Sequence, residues 1–196
     1  MTKLFIFDMG GVLVRRFDIL PSIASLMGLE LESLVSNISD DLIPLMEGKL
    51  SSFDFWKRFT HKSGIIPPEK MNLMIDLYEP FLDGNTEKLI RRIKRFCPVV
   101  CGTNTISEHY EYHLKKGDYQ VFDTVYASHL MGVAKPKPAF YQWILDREKV
   151  NPEEVVFADD LPENIEAART LGIHSFLFTE ADVFEKDLAR AGIEYS

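Results

Sequence analysis

The sequence predicts an α/β protein: an open, mainly parallel sheet, doubly wound by helices, with a small all-helical cap inserted after the first strand. Three observations lead there. Short apolar runs recur along the chain with helical patterns between them, the alternation that builds a parallel sheet covered by helices. Residues 17–82 break the rhythm, because their apolar positions recur at helical spacing and strand-like runs vanish. Finally, 196 residues at 46% hydrophobic can bury one sizeable core with a modest insertion.

Residues 3–7 are almost wholly apolar, which fits a central strand buried on both faces and ending at Asp8. In the segment that follows, Pro21, Gly28, Pro44, Gly48, Gly64, Pro67 and Pro80 predict a division into four or five short helices. Phe53, Phe55, Trp56 and Phe59 are expected to form that segment's own core. Beyond it, Asn85 caps a helix to about Phe96, which stops before Pro98. Strands follow at 99–101, 122–127, 155–158 and 175–178. Helices separate them, from Ser107 to near Gly117, from Pro138 through Glu148, and from Pro162 through Leu171 with Gly172 as the closing residue. The result is a Rossmann-like core of residues 1–16 and 83–196 and a helical cap of residues 17–82.

A formal net charge of -8 argues against a nucleic-acid or anionic-membrane binder, since both need a basic surface. No apolar stretch approaches the roughly 20 residues that span a bilayer, and no secretory signal stands at the N-terminus. A cytoplasmic monomer or homodimer is expected. Cys97 and Cys101, if both lie on one strand, are about 13 Å apart. Two reduced thiols are therefore expected rather than a disulfide or a shared metal.

Four separated segments carry candidate polar groups, and each alone has an ordinary explanation. Asp8 opens Asp8-Met9-Gly10-Gly11, where a carboxylate could form a turn or act as a nucleophile. Thr103 and Asn104 follow the second strand just before a helix, where a hydroxyl can cap the helix or bind an anion at its free amides. Lys135 stands in Lys135-Pro136-Lys137-Pro138, and fixing the backbone around a lysine suits an ammonium that must meet a fixed charge. Asp159 and Asp160 are adjacent at a buried strand end, with Asn164 a turn later. Such a pair repels itself unless compensated, and a hard cation such as Mg²⁺ compensates it economically.

Jointly, these segments resemble the four motifs of the haloacid dehalogenase-like hydrolases, in that family's order and across the whole sheet domain. The strings Thr103-Asn104-Thr105, Lys135 to Tyr141, and Asp159-Asp160 with Asn164 and Ala168 are most similar to the dehalogenase and epoxide-hydrolase-phosphatase branch, which carries a small helical cap. The resemblance implies phosphoryl transfer from a small phosphorylated metabolite, such as a sugar phosphate, to Asp8, followed by hydrolysis of the aspartyl-phosphate. Mg²⁺ would be held by Asp8, the Gly10 carbonyl and Asp160, with Asp159 assisting. Met9 and Gly10 would offer backbone amides to the phosphoryl oxygens, Thr103 and Lys135 their side chains, and Asn104 would orient substrate or Asp8. Receiver domains of two-component signalling also use Asp, Thr and Lys, but in another order and without a cap.

One position departs from the pattern: where family phosphatases carry a second aspartate as general acid and base, this chain has Gly10. That loss predicts leaving groups of low pKa, or an acid borrowed from Asp18, Glu47 or His109. It disfavours a phosphomutase. The alternatives are a 2-haloacid dehalogenase, whose halide departs without an acid, and a metabolite-binding regulator with vestigial activity.

Overall fold

The computed structural model describes residues 1–195. Strand β1 (Leu4–Phe7) is followed by β2 (Val14–Arg15), then helices α1 (Leu20–Met27), α2 (Leu31–Met46) and α3 (Ser52–Ser63). Next come β3 (Phe81–Leu82), α4 (Gly84–Ile93), β4 (Val99–Thr103), α5 (Ser107–Lys116), β5 (Thr124–Ala127), α6 (Ser128–Met131) and α7 (Pro138–Glu148). The chain ends with β6 (Val155–Asp159), α8 (Pro162–Thr170), β7 (His174–Leu177) and α9 (Ala181–Arg190).

Five parallel strands form one sheet in the order β5-β4-β1-β6-β7. Side chains alternate across a strand, so β1 serves two cores. Phe5 and Phe7 pack with Leu89, Ile93 and Phe184 on one face, while Leu4 and Ile6 pack with Phe140, Ile144 and Phe157 on the other. Burial on both faces is why β1 reads as an unbroken apolar run.

Helices α1, α2 and α3 enclose a separate core that includes Ile23, Leu34, Ile38, Phe55 and Phe59, and Ile106 at the start of α5 packs against it. The chain enters and leaves this helical layer through an antiparallel ribbon, in which Val14 pairs with Leu82 and Arg15 with Phe81. A ribbon of two-residue strands carries too little pattern to be visible in sequence.

Three expectations need correction. Residues 17–82 hold three α-helices rather than four or five, because Pro44 does not divide two helices but sits in the last turns of α2. A proline there removes one hydrogen bond near a helix end, and the buried Leu34, Ile38 and Leu45 hold the helix regardless. Phe53 is 77% exposed, whereas Phe55 and Phe59 are buried; at 100° per residue it projects away from the face those two share. Asp83 rather than Asn85 caps α4, accepting from the amides of Asn85 and Thr86.

The end of α2 is fastened to the core. Met46 O accepts from Ser128 Oγ at 2.6 Å, and the buried Glu47 carboxylate accepts from Ala134 N at 3.1 Å and Lys137 Nζ at 2.6 Å. Gly48 has a φ of 66°, and a Cβ there would stand 2.4 Å from His129 O.

Candidate active site

With β1 between β4 and β6, the groups just past three carboxyl ends converge, the usual place for a ligand in an open α/β sheet. Asp8 follows β1, Thr103 closes β4, and Asp159 closes β6 with Asp160 beside it. Lys135 arrives from the loop between α6 and α7.

Lys135 is 1% exposed, and its ammonium lies 2.9 Å from Asp8 Oδ1 and 2.6 Å from Asp159 Oδ2. Burial works against its charge, but Asp159 and Asp8 outweigh that and hold its pKa above the ordinary lysine value. Burial pushes the Asp8 carboxyl up to about 7, aided by Asp159 and opposed by Lys135. Although close to Lys135, Asp8 Oδ1 has no aligned hydrogen-bond donor.

Asp159 is fully engaged: Oδ1 accepts from Leu161 N and Asn164 Nδ2, both at 2.9 Å, and Oδ2 accepts from Lys135. Its neighbour is freer. Burial and the charge of Asp159 raise the Asp160 carboxyl above its usual range. The Asp160 carboxylate lies only 2.0 Å from where a Cβ on Gly11 would stand, and Gly11 has a φ of 75°, so glycine alone fits there.

Asn104 accepts from Lys135 N at 2.8 Å and donates through Nδ2 to Lys135 O at 2.9 Å. The side chain expected to orient substrate or Asp8 thus clamps the lysine's backbone, and Asn104 lines the neighbouring cavity. Thr103 is buried, with Oγ1 in a long 3.4 Å contact to Asn104 O. Met9 buries its side chain in the core, and its carbonyl accepts from Leu13 N and Val14 N to close the turn after Asp8.

A Cβ on Gly10 would meet the Phe17 ring at 3.1 to 3.3 Å. The space a second aspartate would use is therefore bordered by an aromatic ring. Phe17, Gly11 and the anchoring role of Glu47 escape sequence reasoning. The paired glycines were the available signal, since two in a row suggest close approach by other groups.

Two of the three substitute acids are otherwise occupied. Glu47 is buried, yet bonds from Lys137 and Lys49 outweigh that burial and keep its carboxyl below the usual range. His109 Nε2 lies 2.7 Å from Met74 O, an acceptor only, so the ring donates there. Burial pushes its pKa down to about 4, leaving it neutral near pH 7. Asp18 remains, at an exposed rim, with Oδ1 accepting from Leu20 N at 3.0 Å.

A cavity of about 340 Å³ runs from Asp8, Lys135 and Asp160 to the underside of the helical layer, where Leu42, Leu45, Phe55 and Met74 face it. A larger cleft of about 700 Å³ includes Arg15, Asp83, Arg92 and Glu185, whose charges pair with one another. The chemistry belongs to the smaller one.

Asp8, Asp159 and Asp160 each offer an oxygen within 4.8 Å of the others, and they face one ammonium. An oxygen-only donor set with excess negative charge, including a buried oxygen without an aligned donor, fits a hard divalent cation such as Mg²⁺.

Known proteins resemble the chain in different measure. Drimenol cyclase drtB of Aspergillus calidoustus is 35% identical over 88 residues, covering 41% of this chain and 17% of that protein, so the chain spans under a fifth of that relative. Sesquiterpene phosphatase astK of Aspergillus oryzae is 27% identical over 184 residues, 91% of each chain. The solved structure of a predicted HAD-like family hydrolase from Porphyromonas gingivalis superposes with a TM-score of 0.78 at 20% identity, covering 99% of both chains. A HAD family enzyme of Bacteroides thetaiotaomicron, solved with magnesium and inorganic phosphate, gives 0.69 at 21% identity over 90% of this chain and 93% of that one. The family model described as haloacid dehalogenase-like hydrolase matches residues 2–172, and with the sheet order and the convergence at Asp8 this places the chain among the haloacid dehalogenase-like hydrolases.

Proposed function

We propose that the chain is a Mg²⁺-dependent phosphatase of small phosphorylated metabolites that works through an aspartyl-phosphate on Asp8. One observation carries this reading: a buried carboxylate oxygen with no aligned donor, 2.9 Å from a buried ammonium and within reach of Asp160. Such an oxygen is positioned to attack and is flanked by positive charge for an anionic substrate. The phosphatase name of astK and the magnesium and phosphate in the Bacteroides enzyme support the same chemistry.

In the first step an Asp8 oxygen bonds to phosphorus, the bond to the leaving group breaks, and its electron pair stays on the departing oxygen. Lys135 and Thr103, with the amides of Met9 and Gly10, hold the phosphoryl oxygens, since positioning and electrostatics dominate this reaction. Water then attacks phosphorus, inorganic phosphate leaves, the Asp8 carboxylate is restored and the proton goes to solvent. Asp8, Asp160 and the Gly10 carbonyl would hold Mg²⁺, which when bound neutralises charge on the phosphoryl group. Asp159 and Asn104 act through Lys135, the first on its ammonium and the second on its backbone.

Lacking an acid at Gly10, the enzyme favours leaving groups of low pKa, because general acid catalysis is worth about 10²–10⁴-fold. Neither Glu47 nor His109 replaces it. The cap over the cavity favours small substrates.

The decisive assay is hydrolysis of p-nitrophenyl phosphate with Mg²⁺ or EDTA. Asp8→Asn should lower kcat/KM by at least about 10³-fold, and EDTA should abolish turnover. Activity that survives either overturns the mechanism. Halide release from 2-haloacids without any phosphate release would move the assignment to a dehalogenase. Gly10→Asp combined with Phe17→Ala, which vacates the space, should raise turnover of alkyl phosphates more than aryl ones.

A further inference from the structure

The walls of the cavity differ sharply between its two ends. Near the sheet it presents Asp8, Lys135 and Asp160; towards the cap it presents Phe17, Leu42, Leu45, Phe55, Met74 and Ile106. The polar groups of that far wall are few, and each already has a partner in the protein. His109 donates to Met74 O, and Thr105 Oγ1 donates to Ile106 O at 3.3 Å. Asp18, at the rim, accepts from Leu20 N.

An attacking oxygen and the leaving group stand on opposite sides of the phosphorus, so a phosphate held at Asp8 and Lys135 directs its leaving group towards the cap. A sugar or polyol there would bury hydroxyls with few free partners, and each unpaired hydroxyl weakens binding. A hydrocarbon body would instead remove apolar surface from water on both sides.

Resting on the phosphatase reading above, we propose that the substrate is a phosphate monoester whose leaving group is an uncharged, apolar body with an acidic hydroxyl, an aryl phosphate being the simplest case. Phe17 and the α2 and α3 residues of the cap select it. The bond made is Asp8 oxygen to phosphorus; the bond broken is phosphorus to the aryl oxygen, which leaves with its electron pair as a phenolate and takes a proton from solvent.

The test is a series of phenyl phosphates matched in leaving-group acidity, bearing alkyl chains of rising length or hydroxyalkyl chains of the same length, assayed with Mg²⁺ by phosphate release. We expect kcat/KM to rise about three- to fourfold per added methylene until the cavity is filled, and to drop when the chain ends in hydroxyl groups. Glucose 1-phosphate and ribose 5-phosphate should be hydrolysed more slowly than the best alkylphenyl phosphate. Leu42→Asn should flatten the alkyl series.

A flat or falling alkyl series, a preference for the sugar phosphates, or an unchanged slope in Leu42→Asn overturns the apolar assignment while Asp8-dependent hydrolysis keeps the phosphatase reading. No phosphate release from any ester, p-nitrophenyl phosphate included, overturns both.

Discussion

Two buried carboxylates, Asp8 in the sheet domain and Asp41 in the cap, meet positive charge in opposite ways. Asp41 accepts from Lys62 Nζ at 2.9 Å and Arg58 Nη1 at 2.8 Å, and those bonds hold its carboxyl below the usual range. Asp8 shares one ammonium with Asp159, and burial carries its carboxyl up to about 7. Two bases meeting one buried acid, with the exposed Asp40 also 3.5 Å from Lys62, make a structural brace. Three acids around one base is a site short of positive charge, a deficit that a cation and a phosphoryl transfer can use.

The comparison is most exposed to Lys135→Met. Removing the only ammonium from two buried carboxylates should cost about 3–5 kcal/mol in chemical denaturation. Part of that should return in Lys135→Met/Asp8→Asn, and a Lys135→Met protein as stable as wild type would end the idea of a strained cluster.

Next in size is the effect of the cation. Mg²⁺ at about a hundred times its dissociation constant should add about 2.7 kcal/mol of stability, read as a rise in Tm, and Asp160→Asn should remove the response. An equal rise in both proteins would place the cation elsewhere.

Asp41→Asn should cost only about 1 kcal/mol, because Arg58 and Lys62 are 56% and 35% exposed and can rehydrate. A loss matching that of Lys135→Met would erase the contrast between the two clusters.

The smallest effect concerns His109. Its pKa falls from 6.5 unfolded to about 4 folded, so between those values the unfolded chain binds the extra proton and stability drops as pH drops. His109→Gln, which keeps a donor for Met74 O, should reduce the Tm loss over that window. His113, also held below its usual value mainly by burial, leaves the rest of the loss in place.

Much of the sheet domain was legible because its signals are local. Apolar runs mark β1, β4 and β6, and the polar groups just past them are adjacent in sequence to the strands that place them. Pro138 and Gly117 marked helix ends for equally local reasons. What escaped depends on contacts between distant residues. Nothing near Asn104 reveals that it grips the backbone of a lysine 31 residues away, and nothing near Gly10 reveals the Phe17 ring against it. The cap's brace and the bonds of Glu47 to Ala134 and Lys137 are equally remote. Phe53 failed for another reason, since an aromatic count in α3 ignores which side of the helix each ring faces.

The seam at Met46, Glu47 and Gly48 has a mechanical consequence. It rivets the end of α2 to the stretch of chain that delivers Lys135, while the β2–β3 ribbon secures the other approach to the cap. A lid built this way is a bridge on two abutments rather than a flap on one hinge, and lifting it would tug on the segment that carries Lys135. Access and chemistry then share a single coordinate, so loosening a rivet that never touches substrate, as in Glu47→Gln, should shift kcat and KM together.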